Sequence, residues 1–159
     1  MKQVGFVGAF DKTDLIIYIA KILTVLGKRV LIADTTITQK AKYVVPALNP
    51  TLSYITEFEE IDIAVGFKNV EAIANYTNRS TETLEYDYLL LDIDSAESAM
   101  NFRIDRSVQN FFVTSFDTYD IRRGVEILGQ FQTPIKMTKV LFSLSLIHIS
   151  EPTRLQLIS

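Results

Sequence analysis

The chain has 159 residues, a formal net charge of −3 and an apolar fraction of 48%, enough for one globular domain with a real core and too apolar for a disordered chain. The slight acidity leaves no electrostatic footprint for nucleic acid, so none is expected as a partner. The absence of cysteine excludes disulfides and thiolate metal sites and fits a reducing cytoplasm.

From the start of the chain, Lys2 to Val7 reads as a short apolar strand. Lys12 to Leu26 reads as a helix stopped by Gly27, with Lys28 and Arg29 just beyond. Acidic Asp11 and Asp14 before the apolar run Leu15–Leu26 argue against a secretory signal, and Lys21 and the short length argue against a transmembrane span. Leu15, Ile16, Ile17, Ile19, Ile22, Leu23, Val25 and Leu26 cover most of the helix circumference, so the helix is expected to be largely buried. Val30 to Ala33 is a continuous apolar run ending at Asp34, the pattern of a parallel strand covered on both faces. Strand, helix and strand over about thirty residues form a βαβ unit with a right-handed crossover.

Gln39 to Val45 is expected to form a short helix ended by Pro46. Tyr54–Phe58 and Ile61–Val65 are expected strands around Glu59-Glu60, and Asn69 caps a helix to Tyr76. Asn75 to Glu82 reads as a loop, Tyr88 to Asp94 as a strand, and Ser95 to Ser107 as a partly helical connection. Phe111 to Ser115 is another strand, followed by a helix over Tyr119–Phe131 capped by Asp117 or Thr118, with Val125, Ile127, Leu128 and Phe131 inward. Met137 to Phe142 is the last clear strand, after a break at Pro134. Strands alternating with helices indicate an α/β domain with a mostly parallel sheet.

The chemistry-bearing stretch is Val4 to Thr13. An apolar strand, a tight turn, Lys12-Thr13 and a long helix stand where a phosphate-binding loop stands, whose pattern is G-x-x-x-x-G-K-[ST]. In such a loop backbone N–H groups and the helix start hold phosphate oxygens, the lysine reaches the terminal phosphates and the hydroxyl binds magnesium. Here Phe6 and Asp11 replace the two glycines. Asp34 and Asp92, each at the carboxyl end of a strand, face the same crevice in such a sheet. Asp92, after four apolar residues, has the setting of a carboxylate in a magnesium shell. Both aspartates are open to two readings, remnants of a magnesium site or ordinary strand ends.

With these segments in place, the chain resembles the ParA/MinD family of deviant-Walker-A P-loop ATPases over nearly everything before residue 144. That family's first motif, K-G-G-x-G-K-T, falls on Val7 to Thr13. Gly8, Lys12 and Thr13 match, Val7 replaces the signature lysine, and Ala9 and Asp11 replace glycines. Val30 to Asp34 is similar to the family's second aspartate motif, and Tyr86 to Asp92 to its Y-D-h-h-h-h-D. The resemblance implies a doubly wound, three-layer α/β/α fold of P-loop NTPase type. It implies ATP and Mg2+ as cofactors, with Gly8, Asp11, Lys12 and Thr13 lining the nucleotide, Thr13 and Asp92 on the metal, and Asp34 and Asp92 as catalytic carboxylates. Its degenerate first motif makes the chain most similar to the TadZ/CpaE-like pilus-assembly branch. That implies protein partners, a secretion or pilus apparatus among them, and allows a homodimer.

The departures weaken the nucleotide site. Asp11 puts a carboxylate where a glycine N–H meets phosphate, and two unit charges 4 Å apart repel by roughly 4 kcal/mol at an effective dielectric of 20. That is about three decades of affinity, part of which Lys12 or magnesium offsets. Losing the glycine also restricts the turn. The structural role open to Asp11 is a helix cap that accepts an N–H bond from Thr13 or Asp14. Val7 removes the lysine that the family uses across its ATP-sandwiched dimer. The expected function is therefore an adaptor or spatial organiser with weak or absent ATPase activity. The alternatives are an active Mg-ATP-dependent ATPase with an unusual loop and a receiver-like signalling domain. In the last, Asp34 and Asp92 would be acidic-pocket residues, but Lys12-Thr13 would have no purpose.

The C-terminal stretch Leu144 to Arg154 is what a common transposase sequencing adapter encodes when translated in frame. The expectation is a C-terminally truncated domain over residues 1–143 and an artefactual tail over 144–159 that packs poorly. The sole histidine, His148, lies in that tail and is given no role.

Overall fold

The structure, a computed structural model, describes residues 1–36, 53–142 and the strand Leu155–Ile158. The helix expected over Gln39–Val45 lies outside the described residues. The elements are β1 (Lys2–Val7), α1 (Thr13–Val25), β2 (Val30–Asp34), β3 (Tyr54–Phe58), β4 (Ile61–Val65), α2 (Val70–Tyr76), β5 (Tyr88–Ile93), α3 (Ala96–Asn101), β6 (Gln109–Thr114), α4 (Thr118–Gly129), β7 (Thr138–Phe142) and β8 (Leu155–Ile158). Short 3-10 turns stand at Thr81–Thr83 and Ile104–Arg106.

The strands form one sheet in the order β3-β4-β2-β5-β1-β6-β7-β8. The pairs between β4 and β7 are all parallel, and only the edge pairs β3–β4 and β7–β8 are antiparallel. This is the expected α/β fold with a mostly parallel sheet. The β8 pairing adds four residues from beyond position 143 to the sheet, so the tail contributes one edge strand. The central strands are buried because helices cover both faces. α1 lies on one face, where Ile16 and Ala20 pack with Phe6, Ile32, Leu90 and Val113. On the other face Ile73 of α2, Ala99 of α3 and Ile127 of α4 pack with Val7, Leu31, Leu89 and Leu91. The reversal of winding about β1 places the carboxyl ends of β1, β5 and β2 side by side, the position of ligand crevices in such sheets.

Local signals in the sequence account for most element ends. The side chain of Asn69 accepts from the Ala72 N–H at 2.8 Å, Ser95 accepts from Ser98 N–H, and Asp117 accepts from Tyr119 N–H at 2.7 Å. These are N-caps that occupy orphan donors of the first turn. The β3–β4 hairpin turns through Glu59 and Glu60 at φ 49° and 69°. Both are left-handed, the conformation a two-residue hairpin turn requires.

Two expectations about helices are corrected. α1 is not buried all round: Tyr18, Ile22, Val25 and Leu26 are exposed, and only Thr13, Ile16 and Ala20 are buried. A helix on a sheet touches it along one face, and full burial needs a further layer outside; no described element packs there. In α4, Val125 is exposed; Gly124 and Ile127 are buried, Leu128 is half-buried, and Phe131 just past the helix end packs against the core. Adjacent residues are about 100° apart on a helix, so Gly124 facing the sheet turns Val125 away.

Gly124 is there because Phe112 fills its space. A Cβ at this position would lie 2.7 Å from the Phe112 ring. Gly124→Val is expected to destabilise the fold by about 1–3 kcal/mol through overpacking, measured as a lower urea midpoint with an unchanged slope.

Candidate functional site

The loop between β1 and α1 turns at Gly8, against the backbone of β6. A Cβ on Gly8 would meet the Val113 carbonyl oxygen at 2.1 Å. Only glycine fits, and the reason lies in the packing of backbone on backbone.

From this turn the chain enters α1, with Lys12 as the N-cap residue by backbone position. Asp11, one residue earlier, accepts the Thr13 N–H at 3.2 Å through Oδ1. This bond comes from one of the two donors open to it in sequence, and the carboxylate sits at the electropositive start of the helix.

Lys12 is 1% exposed. Its ammonium donates to the Gly8 carbonyl at 2.7 Å and stands 3.0 Å from Oδ1 of Asp92, with the Phe10 carbonyl at 3.4 Å. The side chain is folded inward over its own loop. Asp92 ends the apolar part of β5 and is itself buried. Burial pushes its carboxyl above the usual carboxylate range, the Lys12 ammonium pulls it part of the way back, and Asp34 pushes it up again.

The parallel register sets Asp34 of β2 directly beside Asp92 of β5. Asp34 is buried and accepts from the Thr36 N–H at 3.0 Å and the Thr36 hydroxyl at 2.7 Å. Thr35 donates its hydroxyl to the Asp92 carbonyl at 2.7 Å. Gly8, Asp11, Lys12, Thr13, Asp34 and Asp92, which are far apart in sequence, thus meet at one end of the sheet. Thr35, Thr36 and Asp94 belong to the same neighbourhood and were missed. The signal available for the threonines was their place directly after a strand-ending aspartate, where hydroxyls bond locally.

The cleft itself is a cavity of about 70 Å3 lined by Phe10, Asp11, Lys12, Thr13, Thr36, Asp92 and Asp94 among others. Nucleotide-sized ligands occupy pockets of about 300 Å3 or more. A magnesium ion fits the donor set. Thr13 Oγ1 is buried with no hydrogen-bond partner, a hydroxyl in need of a ligand. Asp92 is nearby, and magnesium is commonly held by one or two carboxylates plus phosphate and water. No group of three metal-ligating side chains stands among the described residues, so a cation here would depend on phosphate oxygens for the rest of its shell. In this conformation Lys12 is engaged with the Gly8 carbonyl and Asp92, so a phosphate reaching it would have to compete with both.

Lys12→Met should cost about 3–5 kcal/mol at neutral pH, since it strands a buried carboxylate. The folded value of Asp92 lies above the unfolded value of about 3.9. Stability from its protonated form is therefore full below the unfolded value and is lost as pH rises through the folded one. Without the ammonium that loss grows, so the deficit of Lys12→Met relative to the parent should widen from about pH 4 towards neutrality. Urea unfolding at a series of pH values measures it, and a deficit independent of pH would show that the pair does not hold the loop.

No protein-family model matches the chain, and no curated protein matches it. Solved structures do. The MinC:MinD cell division protein complex of Aquifex aeolicus matches at TM-score 0.57 and 16% identity, covering 81% of this chain and 62% of that one. A ParA family ATPase from Chlorobium tepidum TLS matches at 0.54 and 15%, covering 88% and 72%. The septum site-determining protein MinD of Pyrococcus horikoshii OT3, complexed with Mg-ADP, matches at 0.51 and 16%, covering 79% and 63%. The chain thus spans 62–63% of the length of the two MinD-type chains. At these identities the likeness establishes architecture: this chain has the P-loop α/β fold of the MinD and ParA ATPases.

Proposed function

We propose that this chain is a ParA/MinD-like nucleotide-binding-fold protein with a degenerate phosphate loop, which binds Mg-ATP weakly and hydrolyses it slowly or not at all. It works as an adaptor or spatial organiser in the cytoplasm, through protein partners. The observation that carries the reading is the inward turn of Lys12, whose ammonium is held by the Gly8 carbonyl and Asp92. A phosphate must compete with both, and must also approach the Asp11 carboxylate. When bound, Mg-ATP would supply the phosphoryl group and the cation. Lys12 would hold the terminal phosphates, Thr13 and Asp92 the magnesium, and Asp34 would act beside Asp92 as the second catalytic carboxylate. Gly8 lets the loop turn beside β6.

The domain that does this is residues 1–143, with 144–159 outside the functional unit. No described helix is long and apolar enough to cross a membrane. The presence of MinC with the Aquifex MinD supports a protein partner for this chain as well, and the degenerate loop supports placement with the TadZ/CpaE-like branch and its secretion or pilus apparatus. A second reading, a working ATPase, is favoured by one observation: the Thr13 hydroxyl is buried and lacks a hydrogen-bond partner, as a magnesium ligand would be without its metal.

Titration calorimetry with Mg-ATP separates the two. The parent chain should bind weakly, and Asp11→Gly should tighten binding by up to about three decades through loss of a repulsion of roughly 4 kcal/mol. Adding Lys12→Ala should remove the gain. Tight binding by the parent that is lost in Asp11→Gly would place the carboxylate within a working site and favour the ATPase.

A further inference from the structure

A cavity of about 290 Å3 opens at the amino ends of β6 and β7, the opposite end of the sheet from Lys12. It lies between α3 with its following turn and the segment that joins α4 to β7. Ala99, Met100 and Ile104 line one side, Phe131 and Ile135 the other, and exposed Arg103 completes the rim. Both sides belong to the face that α2, α3 and α4 cover together, so the cavity is a gap inside a built layer. The gap exists because α3 is only six residues long, after which the chain turns away at Arg103, left-handed at φ 53°. Side chains from β1 and β6 hold that turn. Gln3 Nε2 donates to the carbonyls of Phe102 at 2.9 Å and Arg103 at 3.2 Å, and Asn110 Nδ2 donates to the Ile104 carbonyl at 2.8 Å. A non-glycine residue keeps such a conformation only where its surroundings fix it. The wall is therefore preformed, as the walls of ligand pockets usually are.

We propose that this cavity binds a small amphipathic carboxylate, an aliphatic acid of medium chain length. Its apolar body lies against Met100, Ile104, Phe131 and Ile135, and its carboxylate meets Arg103. Apolar walls with a few fixed polar groups are the make-up of small-molecule sites. Charge at the rim selects an anion. The two segments that frame the cavity carry Arg103, Arg106 and Lys136 against the single carboxylate of Asp105, in a chain whose formal net charge is −3. Arg106 and Lys136 are in no ion pair among the described residues. Asp105 accepts from Nε and Nη2 of Arg103 at 3.4 and 3.5 Å. Those long bonds orient the guanidinium and leave its remaining N–H groups for a second carboxylate. On the facing rim the backbone N–H groups of Gln132 and Thr133 donate to no backbone carbonyl among the described residues, so they are open to the same oxygens. The cavity shares no lining residue with the phosphate cleft, so the proposal stands or falls independently of nucleotide binding.

Titration calorimetry and amide correlation spectra of the full chain with sodium octanoate test this. Octanoate is expected to bind with a sub-millimolar dissociation constant and to shift the amides of residues 99–105 and 131–135. Octanol should bind roughly five- to tenfold more weakly, and acetate and octylamine should not bind. Arg103→Asn suits the left-handed turn and should weaken octanoate by the same factor while leaving octanol unchanged; Arg103→Lys should restore most of the loss. Met100→Glu, at an exposed helix position, should weaken octanoate further with the parent's circular dichroism. No binding by the parent, or shifts spread over the chain instead of gathered at the cavity, would overturn the proposal. So would Arg103→Asn binding octanoate like the parent, or octanol binding as tightly as octanoate, the result expected if the cavity takes an apolar side chain of a partner protein.

Discussion

The buried pair of Lys12 and Asp92 is the constraint on which the site depends. Neither charge could be buried alone, because desolvating an isolated ion costs several kcal/mol even after relaxation. Together they join the loop after β1 to the end of β5, and the Gly8 carbonyl takes a further donor of the ammonium. The loop is therefore closed by the same groups that a phosphate-binding loop would turn towards its ligand. Whether a triphosphate binds is a competition between an outside anion and an internal one already in place.

That competition exists only because the sheet brings the strand ends together. β2, β5 and β1 run parallel as neighbours, so the aspartates that end two of them share a level with the turn that ends the third. The same arrangement limits Asp92. Its carboxyl is deep enough to resist ionisation, and the neighbouring carboxylate of Asp34 adds to the resistance. Lys12 is what keeps a charge at that depth, and the threonines after Asp34 bond that carboxylate from its own strand end.

The two faces of the sheet are covered unequally. α2, α3 and α4 share one, while among the described helices α1 alone lies on the other. A lone helix on a sheet keeps an outward side, and here that side carries Tyr18, Ile22 and Val25 beside the charged Asp14 and Lys21. The all-round apolar pattern of α1 reflects two separate surfaces, one used by the sheet and one left exposed to solvent.

Much of this was legible in the sequence. Continuous apolar runs ending in Asp34 and Asp92, the long helix after Lys12-Thr13, and the caps at Asn69 and Asp117 carry local signals: burial on both faces, helical periodicity and orphan N–H groups that need acceptors. Those signals determined the elements, their order and the residues of the candidate site. Tertiary structure decided the rest, because the deciding contacts join residues far apart in the chain. Gly8 is dictated by the Val113 carbonyl and Gly124 by the Phe112 ring, neither of which a hydrophobic pattern registers. The exposed outer face of α1 depends on how many layers the fold builds, which no single helix encodes. The direction of Lys12 was open in sequence between a phosphate and the chain itself. It was settled inward because the fold buries a carboxylate within 3.0 Å of it, and a buried charge takes the nearest opposite charge that satisfies it.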